Sequence, residues 1–112
     1  MGWTIESALD DDLISNPRKL LSGYQFTLGE IPVLITIRLY KQLNGKNVEF
    51  EQSHFIHTPI QGGPYMTSIP WNDDEASALH QVISGFTRDY NAAVKQGHKP
   101  AESWLVPNKN FR

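Results

Sequence analysis

From Val33 onward the apolar residues fall on every second position. Val33, Ile35, Ile37 and Leu39 lie on one side, and Leu34, Thr36, Arg38, Tyr40 and Gln42 on the other. A repeat of two belongs to an extended chain with one covered face. The run ends in "LNGKN", after which Val48 and Phe50 resume the alternation. Asn-Gly is a strong hairpin signal because both residues tolerate positive φ, so the pattern predicts two antiparallel strands joined at Asn44-Gly45. A two-residue turn pairs Leu39 with Phe50 and Arg38 with Glu51, whereas a four-residue loop pairs Leu43 with Val48. Both registers keep the apolar faces together, because a shift of two preserves side-chain parity. Whatever fold the chain adopts must cover one face of this hairpin.

The flanking segments supply what could do so. Tyr24, Phe26 and Leu28 alternate with Gln25 and Thr27, which predicts an earlier strand ended by Gly29. Upstream, Ile5, Ala8, Leu9 and Leu13 have helical spacing, and Asn16-Pro17 reads as an N-cap followed by proline at the first helical position, opening a short turn through "RKLLSG". Downstream, Phe55 and Ile56 break the even-numbered inward phase of Val48 and Phe50, so a bulge is expected near Gln52-Ser53. The "TPIQGGP" stretch reads as a connection to a fourth strand, Tyr65 to Ile69. Asn72 then serves as a predicted N-cap with Glu75 as its capping partner. Ala76, Leu79, Val82, Ile83, Phe86, Tyr90, Ala93 and Val94 form one helical apolar stripe, stopped by Gly97 with Pro100 beyond. The "SWLV" segment is expected to dock Trp104 back onto the body.

The predicted class is α+β: a short N-terminal helix, a four-stranded antiparallel meander, and a long C-terminal amphipathic helix packed on one sheet face. A chain of 112 residues suits one domain, with residues 1–23 as an N-terminal helical extension and 97–112 as a C-terminal tail. Cysteine is absent, which removes thiolate nucleophiles, disulfides and iron–sulfur ligation and is compatible with a reducing cytoplasm, the expected compartment. The opening "MGWTIESALDDDLISN" has neither a basic flank nor an apolar run, so no signal peptide or membrane association is expected. The formal net charge is −2, unlike that of a strongly basic nucleic-acid binder. Residues 95–112 are locally basic, with Lys95, Lys99, Lys109 and Arg112 against Glu102.

His54 and His57 differ by an odd count, so a regular strand puts them on opposite faces. With no nearby cysteine or carboxylate to complete a shell, no metal site and no cofactor are expected. Asp10, Asp11 and Asp12 lack the alternating oxygens and the glycine of a calcium loop. Ser53, His54 and His57 have no positioned acid, and Ser84-Gly85 lacks a strand-turn-helix elbow, so no enzyme is predicted.

The order of four strands followed by one long helix, residues 24–96, resembles the single-stranded-DNA-binding transcriptional-regulator fold of Whirly proteins and of the eukaryotic transcriptional positive cofactor four. It is also similar to small cyanobacterial proteins of about this size. The resemblance covers about two thirds of the chain and rests on element order, and the lysine-rich hairpins and signature of Whirly proteins are lacking. It implies a homodimer packed through its helices, with a curved sheet face for single strands. Two readings follow. In the first, Thr36, Arg38, Tyr40, Lys41 and Lys46 hold single-stranded nucleic acid by charge and stacking, and Leu79, Val82, Ile83, Phe86 and Tyr90 form the dimer face. In the second, the module binds another protein and no nucleic acid. The charge on the Arg38 face separates them: continuous positive potential favours the first, neutralisation by Glu49 and Glu51 the second.

Overall fold

The computed structural model describes residues 2–112. The order is helix α1 (Ile5–Leu9), strands β1 (Arg18–Leu28), β2 (Ile31–Gln42), β3 (Val48–Gln52), β4 (His54–Ile56) and β5 (Trp71–Asn72), helix α2 (Glu75–Lys95), a 3-10 turn (Glu102–Trp104) and strand β6 (Leu105–Pro107). The main sheet is antiparallel and has the spatial order β1-β2-β3-β5. Strands β4 and β6 pair separately as a two-stranded antiparallel ladder.

The alternation of β2 becomes its burial. Ile31, Ile35, Ile37 and Leu39 are buried, and Val48 and Phe50 join them from β3. Leu39 pairs with Phe50 and Arg38 with Glu51, the register expected of a two-residue turn. The turn itself lies one position earlier. Gly45 N–H donates to Gln42 O at 3.0 Å, which centres the reversal on Leu43-Asn44 and leaves residues through Asn47 to complete a wider loop. Among the described residues positive φ occurs at Asn16, Gly29 and Gly97, so Asn44-Gly45 does not form the mirror-image turn that its composition suggests. The tight reversal is instead Gly29-Glu30, between β1 and β2, where Gly29 has φ 54°.

Four further expectations are corrected. The segment "RKLLSG" is strand, because Asn16 takes a left-handed conformation (φ 52°) and the chain enters β1 at Arg18, opposite Gln42. The supposed helical extension therefore contributes residues 18–23 to the sheet, and α1 ends at Leu9. Residues 65–69 are not a strand. Pro64 and Pro70 bracket them, and the fourth strand of the main sheet is Trp71–Asn72, opposite Val48 and Glu49. The phase slip near Ser53 is a change of sheet: Ser53 N–H donates to Thr36 O, and from His54 the chain pairs with β6.

Helix α2 begins two residues later than its pattern suggested. Asp74 is the N-cap, accepting from Ser77 N–H at 2.7 Å, while Asn72 Oδ1 accepts from Asp73 N–H. Of three consecutive cap-capable residues, the one three before Ser77 is used. The buried face is centred on Ala78, Val82, Gly85, Phe86 and Ala93, and Ala76 and Val94 are exposed. Phe86 meets Phe26 edge to face at 6.3 Å, and Tyr90 meets Trp104 likewise at 5.7 Å. Trp104, Leu105 and Ile56 close the far side of the core. Burial at such positions contributes about 1.5–3 kcal/mol per large apolar side chain.

Candidate functional site

The outer face of the main sheet, away from α2, carries most of the sequence-derived candidates. Thr36, Arg38 and Tyr40 alternate with the buried positions of β2 and share that face. Lys41 has the parity of the core face, opposite Lys19, and Lys46 lies on the β2–β3 loop. The proposed row is therefore split: three of its members share the outer face and two lysines lie toward the loop end.

Two residues that the sequence reading passed over organise the outer face. Arg18, at the start of β1, lies 3.9 Å above the Tyr40 ring and reaches Glu49 at 3.7 Å and Glu51 at 3.1 Å. Phe111, in the C-terminal tail, stacks over the Arg38 guanidinium at 4.3 Å, and Arg38 also donates to the Arg112 carbonyl oxygen. Extending the first strand back from Tyr24 at period two would have placed Arg18 on the core side; the register shift between Leu20 and Ser22 turns it to the outer face. Phe111, an aromatic residue in an otherwise polar basic tail, was the signal for the other. Two arginines meet two glutamates here, and both glutamates reach Arg18. The upper surface of Tyr40 is covered by Arg18, and the flat side of Arg38 by Phe111. Thr36 is held as well: its hydroxyl accepts from Gln25 Nε2 at 3.1 Å, and its N–H donates to Ser53 Oγ at 2.8 Å.

Beside this face a cleft of about 280 Å³, open to solvent, runs along β3. Phe55, Met66, Pro70, Asn108 and Phe111 line it. The tail is fastened there by Asn108, whose side chain donates to Gln52 O at 2.8 Å.

The residues assigned to a dimer face do not form one surface. Val82 and Phe86 are 5% and 1% exposed, inside the protomer, and Leu79, Ile83 and Tyr90 pack half-buried against the same core. Tyr90 Oη accepts from Glu30 N–H at 3.3 Å, and its ring lies against Gly29 so closely that a Cβ there would collide with it. Tyr90 is thus covered by the β1–β2 turn and by Trp104, while Val94 in the same stripe is exposed.

His54 Nδ1 lies 2.8 Å from Ser53 Oγ, and burial lowers the His54 pKa below its ordinary value. His57 Nε2 lies 3.3 Å from Gln61 O. Among the described residues no three His, Cys, Asp or Glu side chains converge as a metal site, and no helix is long and apolar enough to cross a membrane. No protein-family model, curated protein or solved structure matches the chain.

Proposed function

We propose that this chain is a self-associating protein-interaction module whose outer sheet face does not bind single-stranded nucleic acid. The observation that carries this reading is that the face is occupied from within: Arg18 is paired with Glu49 and Glu51, and Arg38 is covered by Phe111. Single-strand binding combines unpaired positive charge with open aromatic surfaces. Here an incoming strand would have to displace Arg18 from Tyr40 and Phe111 from Arg38, and would gain little release of counterions where two glutamates already hold Arg18. The apolar surface supports association with protein instead. Leu20, Tyr24, Leu34, Met66 and Trp71 are all exposed, with Leu20 and Tyr24 on one edge strand of the sheet and Trp71 on the other, so apolar surface is presented at both margins.

A second reading has one observation in its favour. Lys19 and Lys41 stand directly opposite each other in the ladder, a like-charge pairing that is unfavourable without an anion nearby. Lys46 and the exposed Trp71 line a shallow hollow at the same end of the sheet, together with Glu49. That corner offers charge with a stacking ring, so it is where an oligonucleotide would go. A fluorescence-anisotropy titration of a mixed-sequence single-stranded oligonucleotide at low salt decides between the readings. The interaction-module reading predicts no binding up to about 100 μM, the weak end of nonspecific affinities. Salt-sensitive binding that is lost in Lys41→Gln and Trp71→Ala would establish the second reading.

A further inference from the structure

β1 is an edge strand, with β2 as its neighbour on one side and, among the described residues, no strand on the other. An unpaired edge presents a row of backbone donors and acceptors to any second chain, and natural edges are commonly guarded by lysine, proline or short length. This one is 11 residues long, and from Leu20 to Leu28 it carries neither a charged side chain nor a proline. Register shifts at Leu20/Ser22 and Phe26/Leu28 bound a regular run, Ser22–Phe26, with Tyr24 at its midpoint. Tyr24 stands opposite the fully buried Ile37 and so points to the helix-covered side, yet it is 45% exposed. Helix α2 packs chiefly across β2, β3, β4 and β5 and reaches β1 at Ser22 and Phe26, which leaves Tyr24 between them uncovered.

We propose that a second copy of this chain pairs with that edge, β1 against β1, antiparallel about a two-fold axis at Tyr24. Two four-stranded sheets then join into one of eight strands. The proposal rests on the self-association reading above and assigns its surface. An interface about a two-fold axis must be complementary to itself, and the charges along β1 satisfy that in one direction only. Lys19 stands at one end and Glu30 just beyond the other, with no charge between them. Antiparallel pairing about Tyr24 sets residue 19 opposite residue 29, so each Lys19 lies beside the Gly29-Glu30 turn of the other copy. Parallel pairing would set Lys19 against Lys19. Neither Lys19 nor Glu30 is in an ion pair among the described residues, which leaves both free for these contacts. The two register shifts also bracket Tyr24 evenly, the first leaving Leu21 as an extra residue on β1 and the second placing the extra residues on β2 between Ile31 and Ile35, so the regular runs of the two copies coincide. The Tyr24 rings meet across the axis, where directly opposed antiparallel residues sit about 4.5–5.5 Å apart between Cα atoms.

The absence of cysteine makes this geometry directly readable in the full chain. Tyr24→Cys places two thiols opposite each other at the axis, within the Cα separation that a disulfide spans. Gln25→Cys places them diagonally, at about 7–8 Å, beyond it. Under mild oxidation Tyr24→Cys is expected to form the covalent dimer at least about tenfold faster than Gln25→Cys. Sedimentation should show Tyr24→Lys dissociating at protein concentrations about tenfold higher than wild type, with circular dichroism unchanged because the site is solvent-exposed. Mixing Tyr24→Lys with Tyr24→Glu should restore the dimer. A wild-type dimer left unaltered by Tyr24→Lys, with no preference for the Tyr24→Cys bridge, overturns the β1 pairing and leaves self-association through another surface. A wild-type monomer throughout overturns both.

Discussion

Replacing Phe86 with alanine separates a core residue from an interface residue, two roles that a helical stripe in a sequence does not distinguish. Phe86 is 1% exposed, faces Phe26 edge to face, and lies in one cluster with Val82 and Phe50. Truncating a ring in such a site costs about 3–5 kcal/mol, because the surrounding side chains collapse only partly into the space. About 0.5–1.5 kcal/mol of that reflects the lost aromatic pair. A domain of this size has a total stability of about 5–15 kcal/mol and a urea dependence of about 1–3 kcal/mol per molar, so the unfolding midpoint should fall by about 2 M. Urea unfolding followed by the emission of buried Trp104 measures this directly. Because the ring is buried within the protomer, the drop should be the same at two protein concentrations about twentyfold apart. A variant that keeps its unfolding midpoint but sediments as a monomer where wild type is a dimer would falsify this placement and return Phe86 to an interface.

Two other substitutions probe the joints of the fold. Gly29→Ala combines a left-handed φ with a Cβ that meets the Tyr90 ring, so it should destabilise by more than about 1 kcal/mol; Tyr90→Phe, which removes only the bond to Glu30 N–H, should cost about 0.5–1.5 kcal/mol. Equal stability of wild type and Gly29→Ala in a thermal melt would contradict the contact. His54 is lowered below its unfolded pKa by burial, so the folded state takes up its proton later than the unfolded chain. Its contribution is full above the unfolded value of about 6.5 and is lost as pH falls from there through the folded pKa. Melting temperatures from pH 7.5 to 5 should therefore decline less steeply in His54→Gln than in wild type, and parallel curves would show that His54 does not contribute.

Local signals carried the sequence as far as they could. The period-two run of β2 and its return through Val48 and Phe50 gave both strands and the parity of their pairing, since one covered face fixes parity, while the choice between two registers rests on the observed ladder. The cap-to-glycine frame of α2 gave the long helix to within two residues at its start. The α+β architecture followed from these elements. What local pattern could not supply was pairing at a distance. Whether Arg18–Gly23 is helix or strand is decided by Gln42 and its neighbours across the ladder, not by Asn16-Pro17. The β4–β6 pair joins His54–Ile56 to Leu105–Pro107, and neither segment is long enough to announce itself. Tyr65–Ile69 has apolar residues at strand-like positions, but Tyr65 is placed by its ring lying against α2 at Gly85.

The outer face shows the same division. Thr36, Arg38 and Tyr40 were recognisable as one row from parity alone, but their partners Arg18 and Phe111 come from opposite ends of the chain. The occupation of the face, which decides the functional reading, is a tertiary property. Glu49 and Glu51 were visible as candidate counter-charges, and the cation that they hold is Arg18, not Arg38.

Sedimentation velocity of the full chain, mixed at low salt with a fluorescently labelled single-stranded oligonucleotide, tests self-association and indifference to nucleic acid together. The account predicts a protein boundary at twice 12.7 kDa, with the label sedimenting as free oligonucleotide. A boundary at 12.7 kDa up to about 100 μM, or label that moves with the protein and is released by salt, would contradict it.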